Sequence, residues 1–303
     1  MHVRRRVVLA GLPLIAAGLL AGAAWPCGPA RAGESAQRIV ALGGAVTEIL
    51  YALGLEDHIV GVDTTSLYPQ RALAEKPNVG YLRALSAEGI LSLKPSIVIA
   101  VDGAGPPDVM KLVAEAGVPV SRLPEDPTPA GVLARIEAVG ALVGAAEKAQ
   151  ELARATRAGF AALEAMRARI GKPAKAMFLL SLSNGRPVVG GRKTTADAMI
   201  AMAGGTNVAE AIEGFKPMTD EAVIAAAPEA ILMMSNAGSV VTAEQVFALP
   251  VFAATPAARN HAFISMDGNF LLGFGPRTPQ AARELMGALH PGAALPDLPK
   301  ASQ

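Results

Sequence analysis

A tyrosine two residues before an arginine offers the most distinctive chemistry in this chain. Tyr81 and Arg83 lie in the run NVGYLRALS, which spans residues 78–86. A free phenol has a pKa of about 10, but a ferric ion and a nearby guanidinium both favour the phenolate. Tyr81 is therefore a candidate ligand for Fe(III), and Arg83 a cation for the phenolate or for a ligand carboxylate. On its own, a Gly-Tyr pair more often marks a turn with a half-buried ring.

A repeat supplies the second group of candidate residues. In each copy a hydroxyl residue stands two positions before a glutamate, and a proline follows that glutamate by seven. The copies are Ser86, Glu88 and Pro95, and Thr219, Glu221 and Pro228. The hydroxyl would cap a helix, the glutamate would complement the helix dipole, and the proline would end the helix before an apolar strand. Two chance capping motifs could give this pattern, but the matching lengths favour a duplicated lobe.

Strand–loop–helix units surround both copies. Residues 38–42 and 176–180 read as buried strands, residues 47–53 and 195–203 as helices that end at glycine, and residues 59–62 and 118–120 as further short strands. Alternating strands and helices predict α/β lobes with mainly parallel sheets. Tyr81 would then lie on a loop at a strand-to-helix edge, where open α/β sheets bind their ligands.

A long helix is predicted between the two lobes. Residues 147–170 contain no proline and one glycine, and an apolar stripe follows one helical face. About 24 residues at 1.5 Å each would span roughly 36 Å. An ordinary surface helix within one lobe is the alternative. The predicted fold is two Rossmann-like α/β lobes, 38–145 and 173–291, joined by a single bridging helix, 146–172, and followed by a tail, 292–303.

The first 32 residues have the composition of a secretory signal peptide. Three arginines at positions 4–6 precede an apolar run over 7–25, and Ala30-Arg31-Ala32 provides a cleavage site near Ala32. A membrane-spanning helix is the alternative for the apolar run. Its position ahead of a cleavage site favours export to the periplasm, by the general or the twin-arginine route.

The mature chain would have no cysteine and a nearly balanced charge. Cys27, the single cysteine, would leave with the signal peptide, so no disulfide is available. Loss of four arginines and no acid leaves 23 basic side chains against 26 acidic ones. This balance gives no electrostatic reason to expect a nucleic-acid partner.

Four segments resemble the hemin-binding proteins of bacterial haem-uptake ABC transporters. They are RIVALGGAVTEILYALG, VGYLRALSAEGILSLKP, GGRKTTADAMIAMAGGTNV and MDGNFLLGFGPRTPQAARELM, and the resemblance covers about residues 38–290. It implies a receptor that binds ferric haem between its lobes, and we expect this receptor to be non-enzymatic and monomeric. Tyr81 would be the iron ligand and Arg83 would steady it. Glu88 and Glu221 would each meet a basic pocket on the permease dimer of the importer.

The second lobe matches this family less completely. Some relatives present a histidine or arginine there, yet residues 183–187 contain no histidine and Asn236 stands where a basic residue is expected. The distal side of the haem would be open, apolar, or served by Met218, Asn236, Arg192 or Lys193. Arg192 and Asn236 are the candidates for haem contact.

Other functions receive less support from the residues. A receptor for cobalamin or a ferric siderophore would share the fold, but a siderophore brings its own oxygen ligands and needs no Tyr-x-Arg motif. His58, His261 and His290 are isolated, which argues against a zinc or manganese receptor. An exported α/β enzyme would need a nucleophile–base pair, and no motif of that kind is present.

Overall fold

The structure, a computed structural model, describes residues 37–183, 186–235 and 241–299. Within these ranges no helix combines the length and apolar character needed to cross a bilayer. The predicted signal peptide and Asn236 lie outside the described residues.

The first lobe is built on a sheet of four parallel strands. They are β1 (Ile39–Leu42), β2 (Ile59–Val62), β3 (Ile97–Val101) and β4 (Val120–Leu123), in the order β2-β1-β3-β4. β1 is fully buried and lies between β2 and β3. An apolar run without alternation is typical of a strand that is covered on both faces, so the sequence pattern of residues 38–42 is explained by helices on each side.

Helices cover both faces of this sheet. They are α1 (Gly44–Ala52), α2 (Arg71–Glu75), α3 (Ala87–Ser92), α4 (Pro107–Glu115) and α5 (Pro129–Leu142), with a 3-10 turn at Glu56–His58. Ser86 caps α3 by accepting a hydrogen bond from the backbone N–H of Gly89 at 3.4 Å. The first copy of the repeat therefore forms the capped helix and following strand that its spacing predicts.

The second lobe has a mixed sheet in the order β10-β9-β5-β6-β8, with β7 paired to β5. The strands are β5 (Ala174–Ser183), β6 (Arg186–Gly190), β7 (Gly205–Asn207), β8 (Phe215–Pro217), β9 (Ala230–Ser235) and β10 (Phe263–Asp267). β9 runs parallel to β5 and β10 runs parallel to β9, as predicted, whereas β6 runs antiparallel to β5. The prediction of mainly parallel sheets therefore holds for the first lobe and fails at β6.

Short helices and one longer helix complete the second lobe. They are α7 (Thr195–Met202), α8 (Asp220–Ala226), α9 (Ala243–Phe247), α10 (Pro250–Ala253), α11 (Pro256–Arg259), α12 (Gly268–Leu272) and α13 (Thr278–Leu289). Thr219 caps α8 by accepting from the N–H of Ala222 at 3.3 Å. The second copy of the repeat thus folds like the first.

A 22-residue helix, α6 (Ala146–Arg167), joins the lobes. Phe160, Leu163 and Met166 of the predicted apolar stripe are buried, while Leu152 and Ile170 are only half-buried. One continuous apolar cluster includes Ile99 of β3, the buried face of α6, and Leu232 of β9. The predicted fold of two α/β lobes with a bridging helix is confirmed, although the helix ends at Arg167 rather than near residue 172.

Candidate functional site

The carboxyl edges of the two sheets face each other. Gly44 follows β1, and it packs so closely against Asn269 of α12 and the carbonyl of Thr65 that no side chain would fit there. Asn269 follows β10 closely, so the ends of β1, β2 and β10 meet at this point. In open α/β sheets this edge forms the ligand crevice, and here the crevices of both lobes combine into one cleft.

The loop that carries Tyr81 lies across the carboxyl ends of two strands. The carbonyl of Gly80 accepts from the N–H of Thr64 at 3.0 Å, and that of Leu82 accepts from the N–H of Gly105 at 2.9 Å. Gly80 has φ +103°, a conformation that favours glycine. These contacts hold Tyr81 at the cleft edge with 52% of its surface exposed. The structure therefore places Tyr81 at the edge that the sequence predicts.

Arg83 is exposed at the same edge and interacts electrostatically with Glu125, which follows β4. Burial raises the pKa of the Glu125 carboxyl above its usual value, and the guanidinium groups of Arg135 and Arg83 oppose that rise. Asp102 adds to the rise because it carries a like charge. Arg83 thus lies within electrostatic reach of Glu125 and only two residues from Tyr81.

The other two tyrosines of the chain, Tyr51 and Tyr68, line a cavity that Tyr81 does not line. The hydroxyl of Tyr51 is buried and makes no hydrogen bond with a described residue. The ring of Tyr68 lies 3.4 Å from the guanidinium carbon of Arg277, so one of its faces is covered. Tyr81 is the most exposed of the three tyrosines.

Arg192, a candidate for haem contact, does not lie at the cleft edge. β6 starts at that edge, where Arg186 pairs with Ser183, and runs antiparallel to β5 away from it. Arg192 follows the far end of β6, where its backbone N–H donates to the carbonyl of Ile212 at 2.7 Å. The sequence predicts mainly parallel sheets, and the antiparallel direction of β6 places Arg192 at the opposite end of the sheet from the cleft edge.

The remaining distal candidates differ in position. Lys193 pairs with Glu213 at 3.0 Å beside Arg192, away from the cleft. Met218 is half-buried and its N–H donates to the carbonyl of Pro187 at 2.9 Å, next to the start of β6. Asn236 directly follows β9 in sequence but lies outside the described residues.

The structure brings one cation to the cleft edge that the sequence prediction did not include. Arg186 is the first residue of β6 and is exposed. The signal was available in the sequence, because Asn184-Gly185 between two apolar runs is a strong indicator of a two-residue hairpin. A hairpin would have placed Arg186, rather than Arg192, at the turn.

A cavity of about 360 Å³ lies against α6 and α13. Glu48, Tyr68 and Arg277 form its polar wall, and Leu152 and Pro279 contribute to its apolar wall. Arg277 contacts both Glu48 and Tyr68 in this wall, whereas the Tyr51 hydroxyl and Arg277 Nε make no hydrogen bond with a described residue. Tyr81 does not line it, so it is separate from the edge that carries the candidate ligand.

Residues 39–270 match the family described as "Periplasmic binding protein". The chain belongs to the periplasmic binding protein family. Its two apposed α/β lobes, with a ligand crevice between them, are the architecture expected of a substrate-binding protein.

Several solved structures of this family are similar over most of the chain. The periplasmic haem-binding protein RhuT from Roseiflexus sp. RS-1, in its apo form, is 39% identical with a TM-score of 0.80, over 84% of this chain and 98% of that one. BhuT, in complex with two haems, is 38% identical with a TM-score of 0.79, over 84% and 97%. HutB of Vibrio cholerae, also a periplasmic haem-binding protein, is 35% identical with a TM-score of 0.76, over 85% and 100%.

Two curated proteins show more distant similarity. An uncharacterised ABC transporter substrate-binding lipoprotein, YvrC of Bacillus subtilis, is 27% identical over 258 residues, which are 84% of this chain and 80% of that protein. A vitamin B12-binding protein of Yersinia pestis is 33% identical over only 87 residues, 29% of this chain and 31% of its own length. Both matches are proteins of the substrate-binding class. The ligand of this chain is therefore inferred from the residues of the cleft.

Proposed function

We propose that this periplasmic binding protein takes up ferric haem in the cleft between its lobes, with the Tyr81 phenolate as the iron ligand. The observation that carries the proposal is the position of Tyr81. It is exposed on a loop held across the ends of β2 and β3, at the edge that faces the other lobe. Proteins that share 35–39% identity and this fold bind haem.

The surroundings of Tyr81 suit a ferric porphyrin better than a free metal ion. Among the described residues, no three histidine, cysteine, aspartate or glutamate side chains converge as a metal site. A porphyrin supplies four nitrogen ligands of its own, so one axial oxygen from the protein is sufficient. Its two propionates need cations, which Arg83 on the first lobe and Arg186 on the second can provide.

Hemin titration of the wild type and of three tyrosine variants tests this assignment. Tyr81→Phe keeps the ring and removes the phenolate, so we expect loss of the charge-transfer band of a ferric tyrosinate and a fall in affinity of at least about tenfold. Tyr51→Phe is the matched control, because its buried hydroxyl has no partner to lose among the described residues. Tyr68→Phe tests the other exposed tyrosine.

The outcomes separate the candidate ligands clearly. Retention of the band and the affinity in Tyr81→Phe would refute the assignment, and loss of both in Tyr68→Phe would transfer it to Tyr68. A parallel titration with cyanocobalamin addresses the alternative suggested by the vitamin B12-binding relative. Tight cobalamin binding without hemin binding would replace haem as the proposed ligand.

Delivery of the bound haem to an ABC importer is the second part of the proposal. Glu88 and Glu221 are exposed in the first turns of α3 and α8, one on each lobe. A receptor that presents one acid per lobe is suited to a permease dimer with two basic pockets. Export through the signal peptide at residues 1–32 would place the protein in the periplasm, where such a receptor meets its importer.

A further inference from the structure

A buried ion pair connects the two lobes at the base of the cleft. Glu48 of α1 accepts two hydrogen bonds from Arg277, which precedes α13 of the other lobe. One comes from the backbone N–H at 3.0 Å and one from the guanidinium at 3.1 Å. The side chains are only 8% and 27% exposed, so water screens the pair weakly.

Aromatic rings from both lobes hold the same guanidinium. Its carbon lies 3.4 Å from the ring centroid of Tyr68, which follows β2, and 5.0 Å from that of Phe270 in α12. Cation–π contacts of this kind strengthen when the cation is desolvated. Arg277 is therefore held by a carboxylate and a ring of the first lobe and by a ring of its own lobe.

A second arginine, on the first lobe, forms hydrogen bonds with the loop that contains Arg277. Arg135 of α5 is buried and donates to the carbonyl of Phe274 at 2.9 Å and to that of Pro124 at 2.8 Å. Phe274 has φ +49°, a conformation that a bulky residue keeps only where its surroundings fix it. Gly275 packs against the Glu48 carboxylate. The loop is thus fixed to the first lobe at Phe274, Gly275 and Arg277.

We propose that Glu48 and Arg277 are positioning residues whose contact, the interlobe clasp, sets the spacing of the lobes and thereby the geometry of the Tyr81 site. This inference rests on the proposed function. Glu48 lies on the helix that follows β1, and Arg277 lies on the segment that follows β10, so both are fixed to strands whose ends form the cleft walls. Tyr68 belongs to the same connection between β2 and α3 as Tyr81. A flat ligand that contacts both lobes needs this spacing to be constant.

The clasp can be tested by measuring the distance between the lobes directly. Spin labels at Glu115→Cys and Ala253→Cys, both exposed, would report one position on each lobe of a chain without residues 1–32, which has no other cysteine. Without hemin, we expect a narrow distance distribution that roughly doubles in width in Glu48→Ala and in Arg277→Ala, because released lobes sample more orientations. Arg71→Ala, which removes the exposed ion pair with Glu56 inside the first lobe, should leave it unchanged.

Hemin release gives the functional measurement. In the clasp variants we expect hemin dissociation to accelerate about tenfold, while the tyrosinate band of the bound fraction is retained because Tyr81 is intact. If the alanine variants do not fold, Glu48→Gln and Arg277→Lys replace them in both measurements. Glu48→Gln keeps the side-chain volume but removes the charge, and Arg277→Lys keeps the charge but removes the planar guanidinium. Unchanged distance distributions and dissociation rates in folded variants would overturn the clasp. Absence of hemin binding in the wild type would refute the proposed function, and the distance measurement would still decide on the clasp.

Discussion

At the scale of single residues, Arg83 is the group expected to make Tyr81 an effective ligand. Its positive charge favours the phenolate over the phenol, and it lies within electrostatic reach of Glu125 at the cleft edge. We expect Arg83→Ala to bind hemin but with a weaker tyrosinate band than the wild type at the same pH, because the bound phenolate loses a nearby positive charge. Arg83→Lys, which keeps the charge, is the control. An absorption titration identical to that of the wild type would show that Arg83 has no influence on the iron ligand.

Glu48 leads to a prediction about stability and pH. Burial raises the pKa of Glu48 above its usual 4.5, although Arg277 opposes the rise. The folded protein therefore binds this proton more tightly than the unfolded chain, so the contribution of Glu48 to the free energy of unfolding falls as pH rises above 4.5 through the raised pKa. Glu48→Gln removes this dependence. Urea denaturation of both proteins from pH 4.5 to neutrality should show the wild type losing stability relative to Glu48→Gln; a difference that stays constant or grows with pH would contradict the raised pKa.

Tyr81 and Glu48 show which features of the site can be predicted from the sequence and which cannot. Tyr81 was found because its loop is local, since the strand before it and the capped helix after it are both readable from short spacings. The partner of Glu48 lies 229 positions away on the other lobe, and no spacing rule connects the two. Arg277 lies in a segment that carries the family resemblance, but its contact with the first lobe depends on how the lobes pack.

At the scale of elements, the repeat and the bridging helix were predictable because capping residues, prolines and apolar periodicity act within a few residues of one another. The antiparallel strand β6 was missed, although Asn184-Gly185 favours a hairpin there. Because β6 is antiparallel to β5, Arg186 rather than Arg192 is the basic residue at the cleft edge. A single turn type thus changed the composition of the candidate site more than any helix boundary did.

The packing of α5 on α6 provides a test at this scale. A Cβ at Gly140 would overlap the side chain of Ala149. We expect Gly140→Ala to destabilise the protein by about 1–3 kcal/mol, because overpacking outweighs the gain of up to about 1 kcal/mol in helix propensity. Gly171→Ala is the control, since a Cβ added there would meet no atom within 4 Å and the variant should change stability by less than about 0.5 kcal/mol. Urea denaturation that shows Gly140→Ala to be as stable as the control would refute close packing between these helices.

At the scale of the whole molecule, the lobes share one apolar core as well as the interlobe clasp. The cluster that includes Ile99, Phe160 and Leu232 passes from one sheet through α6 to the other. A continuous core resists hinge motion because its side chains are packed in one arrangement. We therefore expect the outer surfaces of the two lobes to stay at a nearly constant distance from each other, with or without ligand. A constant distance would also fix the separation of the two acids that are proposed to contact the importer.

Glu88 and Glu221 are those acids. Ser86 and Thr219 already cap the two helices, so each glutamate is left exposed in the first turn. If they only complement the helix dipoles, they contribute about 0.3–1 kcal/mol each to stability and nothing to transport. If they dock on the permease, Glu88→Ala with Glu221→Ala should reduce hemin uptake by more than about tenfold while hemin affinity and unfolding stay close to wild type. Added salt should weaken wild-type binding to the permease, since exposed charges are screened over about 8 Å at physiological ionic strength.

The control for docking removes two acids of the same kind from other surfaces. Glu115 at the end of α4 and Glu284 in α13 are exposed, one on each lobe, and neither belongs to the repeat. Because this double alanine variant changes the net charge by the same amount, it separates a specific contact from general electrostatic attraction to the permease. Equal loss of uptake in both double variants would indicate general attraction, and wild-type uptake in the Glu88 and Glu221 variant would leave helix capping as the role of these residues. Loss confined to the repeat variant would establish that the duplicated lobes present a two-fold docking surface, with one acid on each lobe.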